Sequence, residues 1–185
     1  MSIVSPPPHE PVTSAPPWAT TEWFNSDPLA LTDLSGRVIV LEAFQMLCPG
    51  CVSHGLPLAA RLAQTFGDEL AVIGLQTVFE HHEAMTPISL KAFLHEYRIG
   101  FPIGVDAHLG DDPTPVTFAR YGMRGTPSMV LIDRDGYVRG HHFGVVDDMV
   151  VAAAVTRLLD VGPAVQPAEV AATPMSACVI NGTCA

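Results

Sequence analysis

Cys48 and Cys51 are separated by two residues in the run Cys48-Pro49-Gly50-Cys51, a spacing at which one helical turn brings two sulfurs together. Disulfide exchange needs that proximity, and it needs one of the sulfurs as a thiolate. At the start of a helix the unpaired N–H groups of the first turn favour the anion, and the turn carries the second thiol beneath the first. Pro49 brings no N–H, but its fixed φ suits a first helical turn. The pattern predicts Cys48 as the exposed attacking sulfur and Cys51 as the thiol that resolves the mixed disulfide. The same spacing serves half of a zinc site, which would need a second ligand pair of similar type. His54 lies three residues beyond Cys51, and His81/His82 and His141/His142 are adjacent in sequence. Adjacent residues on a strand point to opposite faces, so neither histidine pair makes a natural bidentate ligand.

Two further features fit thiol chemistry. Glu42 precedes Cys48 by six residues in an otherwise apolar run, where an ionised carboxylate would be costly and its pKa should rise. A poised acid there could take and return the proton of Cys51; the alternative is a Glu at the strand edge, hydrogen-bonded or reaching water. Thr126-Pro127 follows a glycine and precedes a second apolar run. A cis bond before Pro127 would leave the Thr126 backbone free to pair with a substrate peptide, whereas most such prolines taken singly are trans turn residues. At the far end, Cys178 and Cys184 flank Asn181-Gly182, a two-residue hairpin signal that would bring their sulfurs near each other. They are expected to be either a second redox pair exchanging with the first, or incidental cysteines on a tail.

The elements that must position these residues are legible as a series. Arg37 to Phe44 is continuous, β-branched and apolar, as a central strand buried on both faces should be. A helix follows the cysteines, carrying Leu56, Leu58, Leu62 and Phe66, with Gly67 as terminator and a kink expected at Gly55 and Pro57. Leu70 to Val78 reads as a second strand. Thr86 and Pro87 open the next helix as N-cap and first position, and it should run to about Arg98 and stop at Gly100. Phe101 to Val105 reads as a short strand and Phe118 to Tyr121 as a short helix or turn. A hairpin over Ser128 to Phe143 turns at Arg134-Asp135-Gly136, and a last helix capped by Asp147 or Asp148 ends near Leu159. This order describes an α/β fold with a crossover unit and a closing antiparallel hairpin.

The chain of 185 residues suffices for one domain with tails. Residues 1–20 hold six prolines and read as a disordered arm, 21–160 as the domain, and 161–185 as a flexible tail. Nineteen acidic against nine basic residues give a formal charge of −10, which disfavours nucleic acid and anionic lipid as partners. No run approaches a membrane span. The first twenty residues lack a basic and then apolar leader pattern, so a cytoplasmic location is expected. No cofactor and no metal is expected.

The stretch from about Trp23 to Asp160 resembles the thioredoxin superfamily, and within it the TlpA/ResA-like, AhpC/TSA-related redoxins. Glu42-Ala43-Phe44 before Cys48-Pro49-Gly50-Cys51 carries the resemblance, together with Tyr121-Gly122-Met123-Arg124-Gly125-Thr126-Pro127-Ser128 running into Leu131-Ile132-Asp133-Arg134-Asp135-Gly136. The resemblance implies a thioredoxin-like fold, a central mixed sheet flanked by helices with an inserted strand–helix unit and an N-terminal extension. It also implies thiol:disulfide oxidoreductase activity on a disulfide-bearing protein or a low-molecular-weight thiol, with an unidentified electron donor or acceptor. Cys48 would be nucleophile, Cys51 the resolving thiol, Glu42 the buried acid and Pro127 the cis-proline. The chain departs from the common family pattern in having Met46-Leu47 where a Trp usually precedes the first cysteine, and in having Pro57 six rather than five residues past Cys51. A peroxiredoxin-type thiol peroxidase shares the fold, but it usually carries Thr three residues and Pro seven residues before the reactive cysteine. Gln45 and Leu41 stand there. A non-enzymatic metal-binding redoxin is the other alternative; copper-delivery relatives use a C-x-x-x-C spacing that this chain lacks.

Overall fold

The computed structural model describes residues 13–160. In chain order the elements are β1 (Thr13–Ser14), β2 (Thr20–Phe24), β3 (Val38–Phe44), α1 (Leu56–Phe66), β4 (Leu70–Gln76), α2 (Pro87–Glu96), β5 (Ile103–Asp106), α3 (Val116–Arg120), β6 (Ser128–Ile132), β7 (Tyr137–Phe143) and α4 (Asp148–Asp160). All seven positions of β3 are buried, because the strand lies inside the sheet and has a packed layer on each face. Its even-numbered Val38, Val40 and Phe44 pack with Leu58 and Leu62 of α1, Leu90 of α2 and Val151 of α4. Its odd-numbered Ile39, Leu41 and Ala43 pack with Trp18, Phe118 and Tyr121. Period two along a strand therefore places Glu42 on the side of α1, α2 and α4.

The seven strands run in the order β1-β7-β6-β3-β4-β5-β2. β3, β4 and β5 are parallel, joined by α1 and α2 as crossovers, while β6 and β7 form the antiparallel hairpin beside β3. Asp133 builds that hairpin's turn, its Oδ1 accepting from Asp135 N at 3.0 Å and Tyr137 N at 2.9 Å. Gly136 takes the left-handed φ of 81° that the turn demands. Thr86 caps α2 through Ser89 N at 3.3 Å, and Pro87 occupies its first turn.

The structure corrects the expected arm at residues 13–20. Thr13 and Ser14 pair with Val138 and Tyr137 at one sheet edge, Ala15 and Trp18 are buried, and Trp18 Nε1 donates to Leu29 O at 2.6 Å. Edge pairing satisfies backbone groups whatever the side chains are, so a proline-rich composition hid it. β2 then covers the opposite edge by pairing with β5. The second difference is the end of α2, which stops at Glu96 rather than near Arg98. Arg98 adopts φ 53°, its N–H reaches His95 O at 3.2 Å, and Ile99 N reaches Leu94 O at 3.0 Å. That is a Schellman closure with arginine where glycine is customary. Among the described residues no helix is long and apolar enough to cross a membrane.

Candidate active site

β3 ends at Phe44, and four residues later Cys48 emerges at the C-terminal end of the parallel strands. The Cys48 N–H donates to Gln45 O at 3.2 Å and Val52 N donates to Cys48 O at 3.1 Å, so the chain turns directly into helix. Both cysteines carry free thiols; Cys48 is half-buried and Cys51 fully buried. The Cys51 N–H points at Cys48 Sγ at 3.3 Å, and that sulfur lies 3.4 Å from Thr126 O. Burial pushes the Cys51 thiol up, and its hydrogen bond with Cys48 pushes the same way.

Residues Cys51–Gly55 form a single π-type turn before α1 begins at Leu56. The widened turn falls where glycine and proline predicted a kink, and it brings the backbone of Gly55 down onto Glu42. A Cβ at residue 55 would lie 2.1 Å from Glu42 Oε1 and 3.0 Å from Pro127 Cβ. Only glycine allows that approach. On the other side of the turn, a Cβ at Gly50 would lie 3.2 Å from Pro127 Cδ. Pro127 is thus seated against both glycines, and its carbonyl accepts from Gly144 N at 2.8 Å. The Thr126–Pro127 peptide bond is cis.

Glu42 is 1% exposed, which removes the alternative of a strand-edge residue reaching water. Neither carboxylate oxygen has a hydrogen-bond partner among the described residues. Burial holds its carboxyl well above the usual carboxylate range, and the charge of the nearby Cys48 adds to the effect. The structure therefore gathers Glu42, Cys48, Cys51, Thr126 and Pro127 at one end of the sheet. Cys178 and Cys184 lie outside the described residues.

Three features here had no signal in the sequence. A cleft of about 190 Å³ opens beside Cys48, lined by Gln45, Leu47, Glu80, His81 and Met85 among others. His81 sits in the left-handed region at φ 51°, in the loop after β4 and not on a strand. Buried Gln45, which stands where a peroxiredoxin carries its threonine, anchors that loop by accepting from Phe79 N at 3.3 Å. Gly55 was legible as a helix irregularity, but its role as the roof over Glu42 depends on contacts with β3 and Pro127.

The chain is similar in sequence and fold to known proteins. The model of the AhpC/TSA family matches residues 13–141. Protein DipZ of Mycobacterium bovis and of Mycobacterium tuberculosis is 29% identical over 144 residues, covering 76% of this chain but only 20% of the longer DipZ chain. The chain thus corresponds to about a fifth of the curated relatives it matches. Among solved structures, a thioredoxin-like superfamily protein is 59% identical with a TM-score of 0.78, covering 81% of this chain and 99% of its own. A thiol-disulfide isomerase from Corynebacterium glutamicum is 44% identical with a TM-score of 0.77, covering 80% of this chain and 97% of its own. The family model over most of the chain, with a mixed sheet shared with these structures, places the chain in the AhpC/TSA family of the thioredoxin superfamily.

Proposed function

We propose that Cys48 and Cys51 are the exchanging pair and that Glu42 carries the proton of Cys51. The observation behind this reading is the asymmetry of the two sulfurs. Cys48 reaches the surface with an N–H aimed at it, whereas Cys51 is buried, held protonated by its surroundings and one turn away. In the reducing direction, the Cys48 thiolate attacks a client disulfide, forming a mixed disulfide and releasing one client thiolate. Cys51 then gives its proton to the Glu42 carboxylate and attacks the Cys48 sulfur. The Cys48–Cys51 bond forms, the Cys48–client bond breaks, and the second client sulfur leaves as a thiolate that takes a proton from solvent. Oxidation of a client dithiol runs the same steps backwards.

The partner in this reading is an extended disulfide-bearing peptide or a low-molecular-weight thiol. The cleft beside Cys48 has room for one side chain flanking the reacting cysteine. The Thr126 carbonyl faces Cys48 and offers a backbone acceptor to the same segment. Turnover of a peptide disulfide by the wild type, Cys48→Ser and Cys51→Ser proteins tests the assignment. Loss of turnover in both variants is expected, and full turnover without Cys48 would refute it. Stopped-flow mixing with hydrogen peroxide tests the peroxidase alternative, for which rapid oxidation of Cys48 would be required. The Cys178/Cys184 pair enters as a proposed relay to the first pair, and mass spectrometry under limiting oxidant should then find disulfides linking the two pairs.

A further inference from the structure

The route by which a proton leaves Glu42 is not supplied by the two cysteines, since a proton taken from Cys51 must still reach solvent before the next turnover. Beneath the Gly55 roof lies a cavity of about 10 Å³, lined by Glu42, His54, Gly55, Leu58, Pro127 and neighbouring residues, close to the room that one water molecule requires. Both oxygens of Glu42 lack partners among the described residues, and an unpaired buried carboxyl that shares a void with a histidine side chain is a place where water can be held. Among the residues lining the cavity, the titratable ones are Glu42 and His54. Those from β6 and the loop after β7 are Met129, Gly144, Val145 and Val146, which carry no charge. From the active-site turn, Cys48 acts on Glu42 electrostatically.

His54 differs from Glu42 in being exposed, so it touches the cavity and the solvent alike. Its tautomer follows from its neighbour. The Ser53 hydroxyl donates its single proton to Pro49 O at 2.7 Å, and Ser53 Oγ also lies 2.7 Å from His54 Nδ1. With its hydrogen already committed, Ser53 Oγ can only accept, so Nδ1 carries the imidazole proton and Nε2 is left as the basic nitrogen.

From this geometry we infer that His54 is the proton relay between buried Glu42 and solvent, through one water in the cavity under Gly55. The inference rests on the exchange reading above. After Cys51 has passed its proton to the Glu42 carboxylate, the protonated Glu42 passes a proton to the water, the water passes one to His54 Nε2, and the imidazolium releases it to solvent. Glu42 returns to carboxylate and His54 to neutral imidazole, with no change in oxidation state. In the oxidising direction the same path delivers the proton that the leaving Cys51 thiolate takes up.

The test is single-turnover exchange with a peptide disulfide, separating attack by Cys48 from resolution by Cys51, in wild type, His54→Ala and Glu42→Gln proteins across pH 6 to 9. His54→Ala should form the mixed disulfide at the wild-type rate but resolve it on the order of ten-fold more slowly. Free imidazole in the buffer should restore the lost rate. Resolution by His54→Ala at the wild-type rate throughout the pH range would overturn the relay, as would a slowing that imidazole does not relieve. Failure of the underlying reading looks different, because Glu42→Gln would then resolve normally or no mixed disulfide would form at Cys48 in any protein.

Discussion

Glu42 and Asp106 are both closed off from solvent, at 1% and 3% exposure, yet their polar surroundings are opposite. Asp106, at the end of β5, accepts from Thr117 N at 2.8 Å, Phe118 N at 3.0 Å and Thr77 Oγ1 at 3.1 Å. Two of those donors are first-turn N–H groups of α3, which have no partner within their own helix. Asp106 therefore ties β5 to α3 and to Thr77, the residue just past β4. Glu42, in the middle of β3, holds nothing in place through its oxygens and carries the desolvation penalty unrelieved. A buried carboxylate saturated by donors serves the fold, whereas one left without them is available to gain or lose a proton with little rearrangement around it.

Replacing each acid should separate the two roles. Asp106→Ala orphans three donors and should lower unfolding free energy by about 3 kcal/mol or more, since bonds to a charged acceptor contribute roughly 1.5–3 kcal/mol each and are not additive. Chemical denaturation reads that loss, while exchange per folded molecule should stay at the wild-type rate; a rate collapse would erase the distinction. Glu42→Gln keeps the shape and removes the proton acceptor, so resolution by Cys51 should slow about 100-fold. Single-turnover mixing reads it, and an unchanged rate would return Glu42 to a passive core position.

A smaller effect concerns pH. Because burial raises the Glu42 carboxyl, folding favours its neutral form. The stability linked to it is complete below the unfolded-state value, about 4.3 for a model Glu, and is lost as pH rises towards the raised folded value. Glu42→Gln removes that dependence. The stability difference between variant and wild type should be near zero at pH 4 and grow with pH by on the order of 1 kcal/mol per unit. Thermal melts in matched buffers across pH 4 to 8 measure it, and a constant gap would contradict the assignment. Thr77→Val is the mildest change, removing one of three donors to Asp106, and should cost about 1 kcal/mol without altering exchange.

Much of this was legible in the sequence, for identifiable reasons. Strand β3, the Thr86-Pro87 start of α2 and the Asp133–Gly136 turn are local, each written by neighbouring residues in a period or a cap. Glu42 stood out because a carboxylate interrupts an apolar run. What escaped notice depends on contacts between segments far apart in the chain. Thr13–Ser14 joins the sheet through β7, more than a hundred residues away, and the closure of α2 uses Arg98 where composition pointed to Gly100. The cleft at Cys48 needs the loop holding Glu80 and His81 to fold back onto Gln45. The place of His54 at the Glu42 cavity needs the widened turn and the close approach of Gly55 to Glu42 and Pro127.

In the proposed exchange Cys48 attacks and Cys51 resolves. Trapping tests it most directly: Cys51→Ser and Cys48→Ser proteins are mixed with a peptide disulfide, quenched with acid and analysed by intact-mass and peptide mass spectrometry. Cys51→Ser should accumulate a stable adduct on Cys48, and Cys48→Ser none on Cys51, which is buried. An adduct of equal yield on Cys51, or none on Cys48, would contradict it.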